Sequence, residues 1–332
     1  MIFVTGGTGM LGAHLLLQLT EKGQAIKALK RQKSSLAITE KVFKYYQKED
    51  LLSKLEWVDG DLLDVPSVAE GMMGCLQVYH AAAMVSFQSR YAQKMLATNV
   101  QGTANVVNIA LSQKIEKLAH VSSIAALNRY ENNDLVTEEN YWKSHPHNSN
   151  YAISKYLSEQ EVWRGIQEGL NAVIINPSII MGPGDWRKGS SKMFQKVWEG
   201  LRYYSSGGSG YVDVVDVASA LVQLMGDKVV NERFIINGEN ISYKTIFEWI
   251  AEDLAKPKAS IKVNPFLKEI AWRMELIKCV FTRKSPLITK ETAKSAMITT
   301  RYSNQKIRDL DFTPTPIRKS IKKYAEWFLN EN

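Results

Sequence analysis

The sequence predicts an α/β fold: a doubly wound parallel sheet with a smaller, mostly helical C-terminal lobe. Three observations carry this. Over the first half, apolar runs of strand length alternate with segments of helical period, the pattern of a parallel sheet covered on both faces. The first run, Met1 to Thr5, passes at once into a glycine-rich turn and then a helical pattern. After Pro177 the character changes: loops rich in Gly, Pro and Ser bracket one helix, and from about residue 240 the chain is mostly helical and basic.

Taken in order, strands are predicted at 1–5, 24–30, 54–58, 76–81, 116–121 and 171–176. Helices fill the gaps, notably at 10–22, 91–113 and 151–169. The first helix follows Gly6-Gly7-Thr8-Gly9-Met10-Leu11-Gly12. Gly6 permits a tight turn, Gly9 lets a phosphate approach the backbone, and Gly12 lets helix and strand pack closely. A strand, a glycine turn and a helix N-terminus in that order make a pyrophosphate cradle. The 151–169 helix has Ser149 or Asn150 as N-cap and Gly169 near its end. Beyond Pro177, a helix is expected at roughly 190–202 between Gly182-Pro183-Gly184-Asp185 and Ser205-Ser206-Gly207-Gly208-Ser209-Gly210. Segments 211–226 and 233–237 read as a return to the main sheet. Residues 1–177 plus 211–239 are therefore assigned to the dinucleotide-binding domain, and 178–210 plus 240–332 to a substrate-binding lobe. Right-handed crossovers bring the C-terminal ends of the strands, and hence the ligand, to one edge of the sheet.

Composition narrows the class. The chain has 332 residues, 45% hydrophobic and 23% charged, as in an ordinary soluble enzyme. Two cysteines, Cys75 and Cys279, make no disulfide framework, which favours a reducing compartment. The chain opens directly on a strand, so no secretory leader is expected. No apolar stretch reaches the roughly 18 residues of a spanning helix. The expected location is cytoplasmic. A net charge of +8 suits anionic ligands, but no nucleic-acid-binding motif accompanies it. His145 and His147 lack a third ligand or a carboxylate cluster, so no metal is expected.

The second strand runs out into Lys30-Arg31-Gln32-Lys33-Ser34. NAD sites place a carboxylate there for the ribose hydroxyls, whereas NADP sites offer cations to the 2′-phosphate. Arg31 can grip phosphate as a planar fork, with Lys30 or Ser34 assisting. A solvated basic turn would read the same way. NADP(H) is the preferred cofactor, with NAD possible. Further on, Tyr151 and Lys155 stand four apart and share a helix face. A phenol with pKa near ~10 is a poor proton carrier at neutral pH, and a nearby ammonium lowers it.

The glycine turn with GxxGxxG spacing, together with Tyr151-Ala152-Ile153-Ser154-Lys155, resembles the extended branch of the short-chain dehydrogenase/reductase superfamily (the NAD-dependent epimerase/dehydratase family). So do His120-Val121-Ser122-Ser123, Tyr79-His80-Ala81-Ala82-Ala83, Thr98-Asn99-Val100, Asn176-Pro177-Ser178 and Tyr211-Val212-Asp213. The look is nearest to dihydroflavonol 4-reductase-like and hydroxysteroid dehydrogenase-like members. The resemblance implies a Rossmann domain and a Ser-Tyr-Lys oxidoreductase acting on a ketone, aldehyde or secondary alcohol. It implies Ser123, Tyr151 and Lys155 as catalytic residues, with Asn99 organising the site. It also implies a cofactor site of Gly6, Thr8, Gly9, Met10, Leu11, Gly12, Lys30, Arg31, Asp61, Leu62, Ala81, Ala82, Ala83, Asn99, Val121, Tyr151, Lys155, Pro177, Ser178 and Ile179. Strand alternation lets only one of Ser122 and Ser123 serve, and the resemblance selects Ser123.

For substrate, the resemblance points to Met84, Ser123, Trp186, Met193 and Phe194, although aromatics at helical spacing equally suit a core. Ile124-Ala125-Ala126 lacks the acidic pair that sugar dehydratases need, so dehydration is not expected. Two alternatives remain: a nucleotide-sugar C4-epimerase with tightly held NAD, and a catalytically idle NADP-binding regulator. Relatives commonly dimerise through two helices per subunit, here 91–113 and 151–169, so a homodimer is expected. The basic amphipathic stretch 265–283 reads as a docking helix of the lobe or as a lid touching a membrane surface.

Overall fold

The computed structural model describes residues 1–127, 135–145, 148–264 and 296–332. Its strands are β1 (Ile2–Thr5), β2 (Ile26–Lys30), β3 (Leu55–Asp59), β4 (Gln77–His80), β5 (Lys117–Val121), β6 (Leu135–Val136), β7 (Ala172–Pro177), β8 (Ile179–Met181), β9 (Tyr203–Tyr204), β10 (Gly208–Asp213), β11 (Glu232–Ile236), β12 (Glu239–Ser242), β13 (Ile261–Lys262) and β14 (Arg301–Tyr302). Its main helices are α1 (Met10–Glu21), α2 (Ala37–Tyr45), α3 (Val65–Met72), α4 (Ala92–Leu96), α5 (Gly102–Ser112), α6 (Asn150–Gln167), α7 (Lys192–Trp198), α8 (Val214–Gly226), α9 (Tyr243–Asp253) and α10 (Ile317–Leu329). The stretch 265–283 lies outside the described residues.

The central sheet has the order β11-β7-β5-β4-β1-β2-β3. Every pairing in it is parallel. The chain winds outward from β1 in both directions, so the crevice for a ligand opens between the ends of β1 and β4. Alternation along β1 shows the two covered faces. Ile2 and Val4 pack with Leu15, Leu16 and Leu19 of α1 and Val217 and Leu221 of α8. Phe3 packs on the opposite face with Val68 of α3, Val106 of α5 and Val162 of α6.

Sequence and structure differ informatively in two places. The segment 91–113 is interrupted: a π-helical turn at Ala97–Gln101 lies between α4 and α5. One extra residue per turn re-aims the side chains there, and Asn99 sits inside it. Residues 208–213 do not rejoin the main sheet but pair with β8 and β12 in a three-stranded sheet of their own. The return is made by α8, packed against α1, β5 and β7, and then by β11 at the sheet edge. The small sheet, α7, α9 and α10 enclose a separate aromatic core of Trp186, Phe194, Tyr211, Tyr324 and Phe328.

Candidate active site

The cradle is built by backbone shape. Gly6 has φ +81° after β1, and a Cβ there would lie 2.7 Å from the Ala81 and Ala82 backbone. Only glycine lets the ends of β1 and β4 approach so closely. A Cβ on Gly12 would lie 2.0 Å from the Gly6 carbonyl oxygen, so α1 starts directly against the turn. Gly9 is the N-cap and supplies no side-chain acceptor, and the first turn of α1 holds no acidic residue. The first-turn amides around Met10 and Leu11 thus keep their positive end for an anion. These features fit the pyrophosphate of a dinucleotide.

At the end of β2, Lys30 is held by Asp59 in an ion pair. Arg31 and Lys33, both exposed and without an ion pair among the described residues, remain as cations on this turn. The Ser34 amide donates to the Arg31 carbonyl at 2.8 Å, closing the turn. Across the edge, Asp61 accepts the Leu63 amide at 3.0 Å with one carboxylate oxygen, and Leu62 is buried against Gly102.

Ser123, Tyr151 and Lys155 converge where β5 ends against the start of α6. Ser149 caps that helix, accepting the Ala152 amide at 3.1 Å, so its first turn is firmly set. Ser123 caps the following 3₁₀ turn, and its hydroxyl accepts the Ala125 amide at 3.1 Å. The same hydroxyl lies close enough to the Tyr151 phenol to lower its pKa, while burial pushes it up more strongly. The Lys155 ammonium, 2% exposed, donates to the Val121 carbonyl at 2.7 Å. Burial brings its pKa down from 10.5 to about 8, and the Glu159 carboxylate opposes that fall.

Ser122 and Ser123 part company as alternation requires. Ser122 turns inward and donates to Glu159 at 2.6 Å, and Ser123 turns to the mouth. Asn99 braces the site from the other side. Its side-chain oxygen accepts the Met84 amide at 2.7 Å, and its amide donates to the Met84 carbonyl at 2.9 Å and to Ser154 at 3.0 Å. Met84 and the Ala81–Ala83 loop are thereby tied to the helix that carries Tyr151. Beneath lie two buried histidines. His80 is hydrogen-bonded to Thr5 and Thr103, and burial lowers its pKa to about 3. His120, stacked obliquely on it at 5.3 Å, is also held neutral by burial. Ser178 gives its amide to the Ile236 carbonyl at 3.0 Å, so of Pro177, Ser178 and Ile179 only Ile179 is partly open to the groove.

The aromatics of the lobe take the core position. Phe194 is wholly buried and Trp186 is 6% exposed; their rings lie 5.4 Å apart and both pack on Phe328. Met193 is half-buried beside them. Phe87, 43% exposed, instead lies against the Tyr151 phenol, its ring meeting Tyr151 edge-on at 5.7 Å. Val85 is exposed on the same loop.

Sequence reasoning missed Glu159 and Arg233. Glu159 lies one turn beyond Lys155 and is 1% exposed; Arg233, on β11, pairs with it at 3.3 Å. Glu159 had a detectable signal, the same i,i+4 spacing that links Tyr151 to Lys155. Arg233, 74 positions away in sequence, had none. The two histidines flanking Pro146 bring no metal cluster among the described residues, and His147 lies outside them. Among the described residues no helix is long and apolar enough to cross a membrane.

Comparison with known proteins bears on the family and the fold. The profile of the NAD-binding family described as "Male sterility protein" matches residues 4–231. A sterol demethylase protein B of Methylococcus capsulatus is 26% identical, covering 98% of this chain and 97% of its own. A putative dihydroflavonol 4-reductase of Synechocystis is 28% identical, with 99% and 94% covered. The UDP-glucose 4-epimerase of Thermotoga maritima shares the fold at a TM-score of 0.78 and 19% identity, with 99% of each chain covered. The glycine cradle, the parallel sheet and a match over more than half its length place the chain in this NAD-binding family, within the extended short-chain dehydrogenase/reductase superfamily.

Proposed function

We propose that the protein is an NADP(H)-dependent oxidoreductase that reduces a ketone or aldehyde, or oxidises the corresponding secondary alcohol, by Ser-Tyr-Lys chemistry. The observation that carries this is the meeting of the Tyr151 phenol with the Ser123 hydroxyl, one helical turn from the buried Lys155 ammonium. When bound, the dinucleotide supplies or accepts the hydride. In the reductive direction, Ser123 donates to the substrate carbonyl oxygen and fixes it. Tyr151 delivers the proton to that oxygen as it gains charge. Lys155 holds the nicotinamide ribose and lowers the Tyr151 pKa against the opposing effect of burial. Asn99 keeps the Met84 loop against the catalytic helix, and Gly6, Gly9 and Gly12 receive the pyrophosphate on the amides of α1.

The unpaired Arg31 favours the 2′-phosphate of NADP over the free hydroxyl of NAD. Exposed Phe87 beside Tyr151, with exposed Val85 on the same loop, favours a partly apolar substrate, in line with a reductase and a sterol demethylase protein among the relatives. The location proposed is cytoplasmic and the assembly a homodimer formed through α4–α5 and α6.

Two measurements test this. Tyr151→Phe is expected to abolish NADPH-dependent reduction in a screen of apolar ketones while leaving NADPH affinity within about twofold, because the phenol acts on the substrate oxygen. Undiminished turnover defeats the mechanism. Purified protein carrying one equivalent of non-exchanging NAD, active on nucleotide sugars, would replace the reductase with the epimerase.

A further inference from the structure

Behind the Ser123 strand end lies a buried carboxylate that the mechanism above does not use. Each oxygen of Glu159 has two donors. Oε2 accepts from the Ser122 hydroxyl at 2.6 Å and the Asn176 amide at 2.9 Å. Oε1 accepts from Trp163 Nε1 and Arg233 Nη1, both at 3.3 Å. The residue is 1% exposed, so the charge is held entirely by these contacts. One of these contacts and the helix itself link Glu159 to the catalytic groups. The Asn176 amide that touches Glu159 also donates to the Ser123 carbonyl at 3.0 Å, so the peptide carrying the catalytic hydroxyl is anchored through it. Glu159 also lies one turn from Lys155 on the same helix, and both are enclosed. Arg233 continues the network by donating to the Glu138 carbonyl at 2.7 Å, in the loop that leads into α6.

We propose that Glu159 is a positioning residue of the active site: its carboxylate fixes the Ser123 strand end through Asn176 and Ser122, and its charge keeps Lys155 an ammonium inside the protein. The inference rests on the roles given to Ser123 and Lys155 above. The groups facing Lys155 support it. Tyr151 and Glu159 lie one turn from it on its own helix, and the lysine charge, with burial, holds down the pKa values of His80 on β4 and His120 on β5. Both histidines are kept neutral by burial, so Glu159 is the anion among them that can balance the lysine.

The test reads cofactor binding and needs no substrate. NADPH affinity is titrated by its fluorescence between pH 6.5 and 10 for the wild type, Lys155→Met and Glu159→Gln. Glutamine keeps the size of the side chain, removes the charge and turns one of the two accepting oxygens into a donor. The wild type is expected to lose affinity above about pH 8, where Lys155 gives up its proton. Lys155→Met is expected to lack this step, and Glu159→Gln to show it at least about one pH unit lower. If Glu159→Gln leaves Arg233 unpaired and fails to fold, Glu159→Gln with Arg233→Met removes both buried charges and is read the same way. A step unmoved in the Glu159 variants overturns the inference while leaving the reductase reading intact. A wild type that does not bind NADPH, or binds it with no step that depends on Lys155, overturns both readings at once.

Discussion

The two halves of the molecule put polar groups to opposite uses. In the sheet half, buried polar side chains converge beneath the mouth: Thr5, His80 and Thr103 on one side, Ser122, Asn176 and Glu159 on the other, with Lys155 between. The lobe is built on an aromatic and aliphatic cluster, with polar contacts at its margin such as the Tyr324 hydroxyl donating to Asp213 at 2.7 Å. Desolvated polar networks are costly unless complete, and they fix geometry; apolar cores are tolerant and supply stability. The difference teaches that the candidate site is held by polar groups of the sheet half, and that the lobe is held by an apolar core of its own.

Lys155→Met gives the sharpest test of that division. Turnover should fall by about 10²–10⁴, as for loss of a group tuning a catalytic acid. Stability at neutral pH should stay level or rise, since a buried ammonium is removed. The sign with pH follows from the lowered pKa of Lys155, about 8 against 10.5. Between those values the unfolded chain binds more protons than the folded one, so wild-type stability should rise through this window. Relative to Lys155→Met the rise should be at most about 3 kcal/mol, read from urea unfolding at stepped pH.

Phe194→Ala is the converse. It should cost about 3–5 kcal/mol of unfolding free energy, as for a fully buried aromatic, with cofactor affinity unchanged. A variant that unfolds normally but switches substrate preference would break the comparison and put Phe194 on the pocket wall. Smallest in effect is Arg31→Ala, expected to weaken NADPH binding about tenfold, or ~1.4 kcal/mol, while sparing NADH. Equal effects on both nucleotides would return Arg31 to the solvated turn that its sequence also allows.

Legibility follows the range of the interaction. The glycine turn, the six strands at 1–5 through 171–176 and the Tyr151–Lys155 pair are local, set by residues within a few positions of one another. They were readable within one to two residues, apart from the π turn around Asn99. Trp186 and Phe194 were ambiguous because helical spacing says that a ring faces inward without saying against what. The answer is Phe328, more than 130 residues away in sequence. Ser122 and Ser123 are adjacent and chemically identical; the resemblance selects Ser123, and the position of Glu159 behind the strand gives the physical reason that Ser122 turns inward.

The sequence by itself determined the doubly wound sheet, the edge where a ligand binds and the residue types that meet there, because turn chemistry and period are short-range properties. Tertiary structure alone decided the rest. It paired Lys30 with Asp59 and left Arg31 and Lys33 without ion pairs among the described residues, placed the small sheet's strand 208–213 outside the main one, and assembled the Glu159 network. Burial and charge pairing depend on groups brought together from distant parts of the chain, and no local pattern encodes which of them will meet.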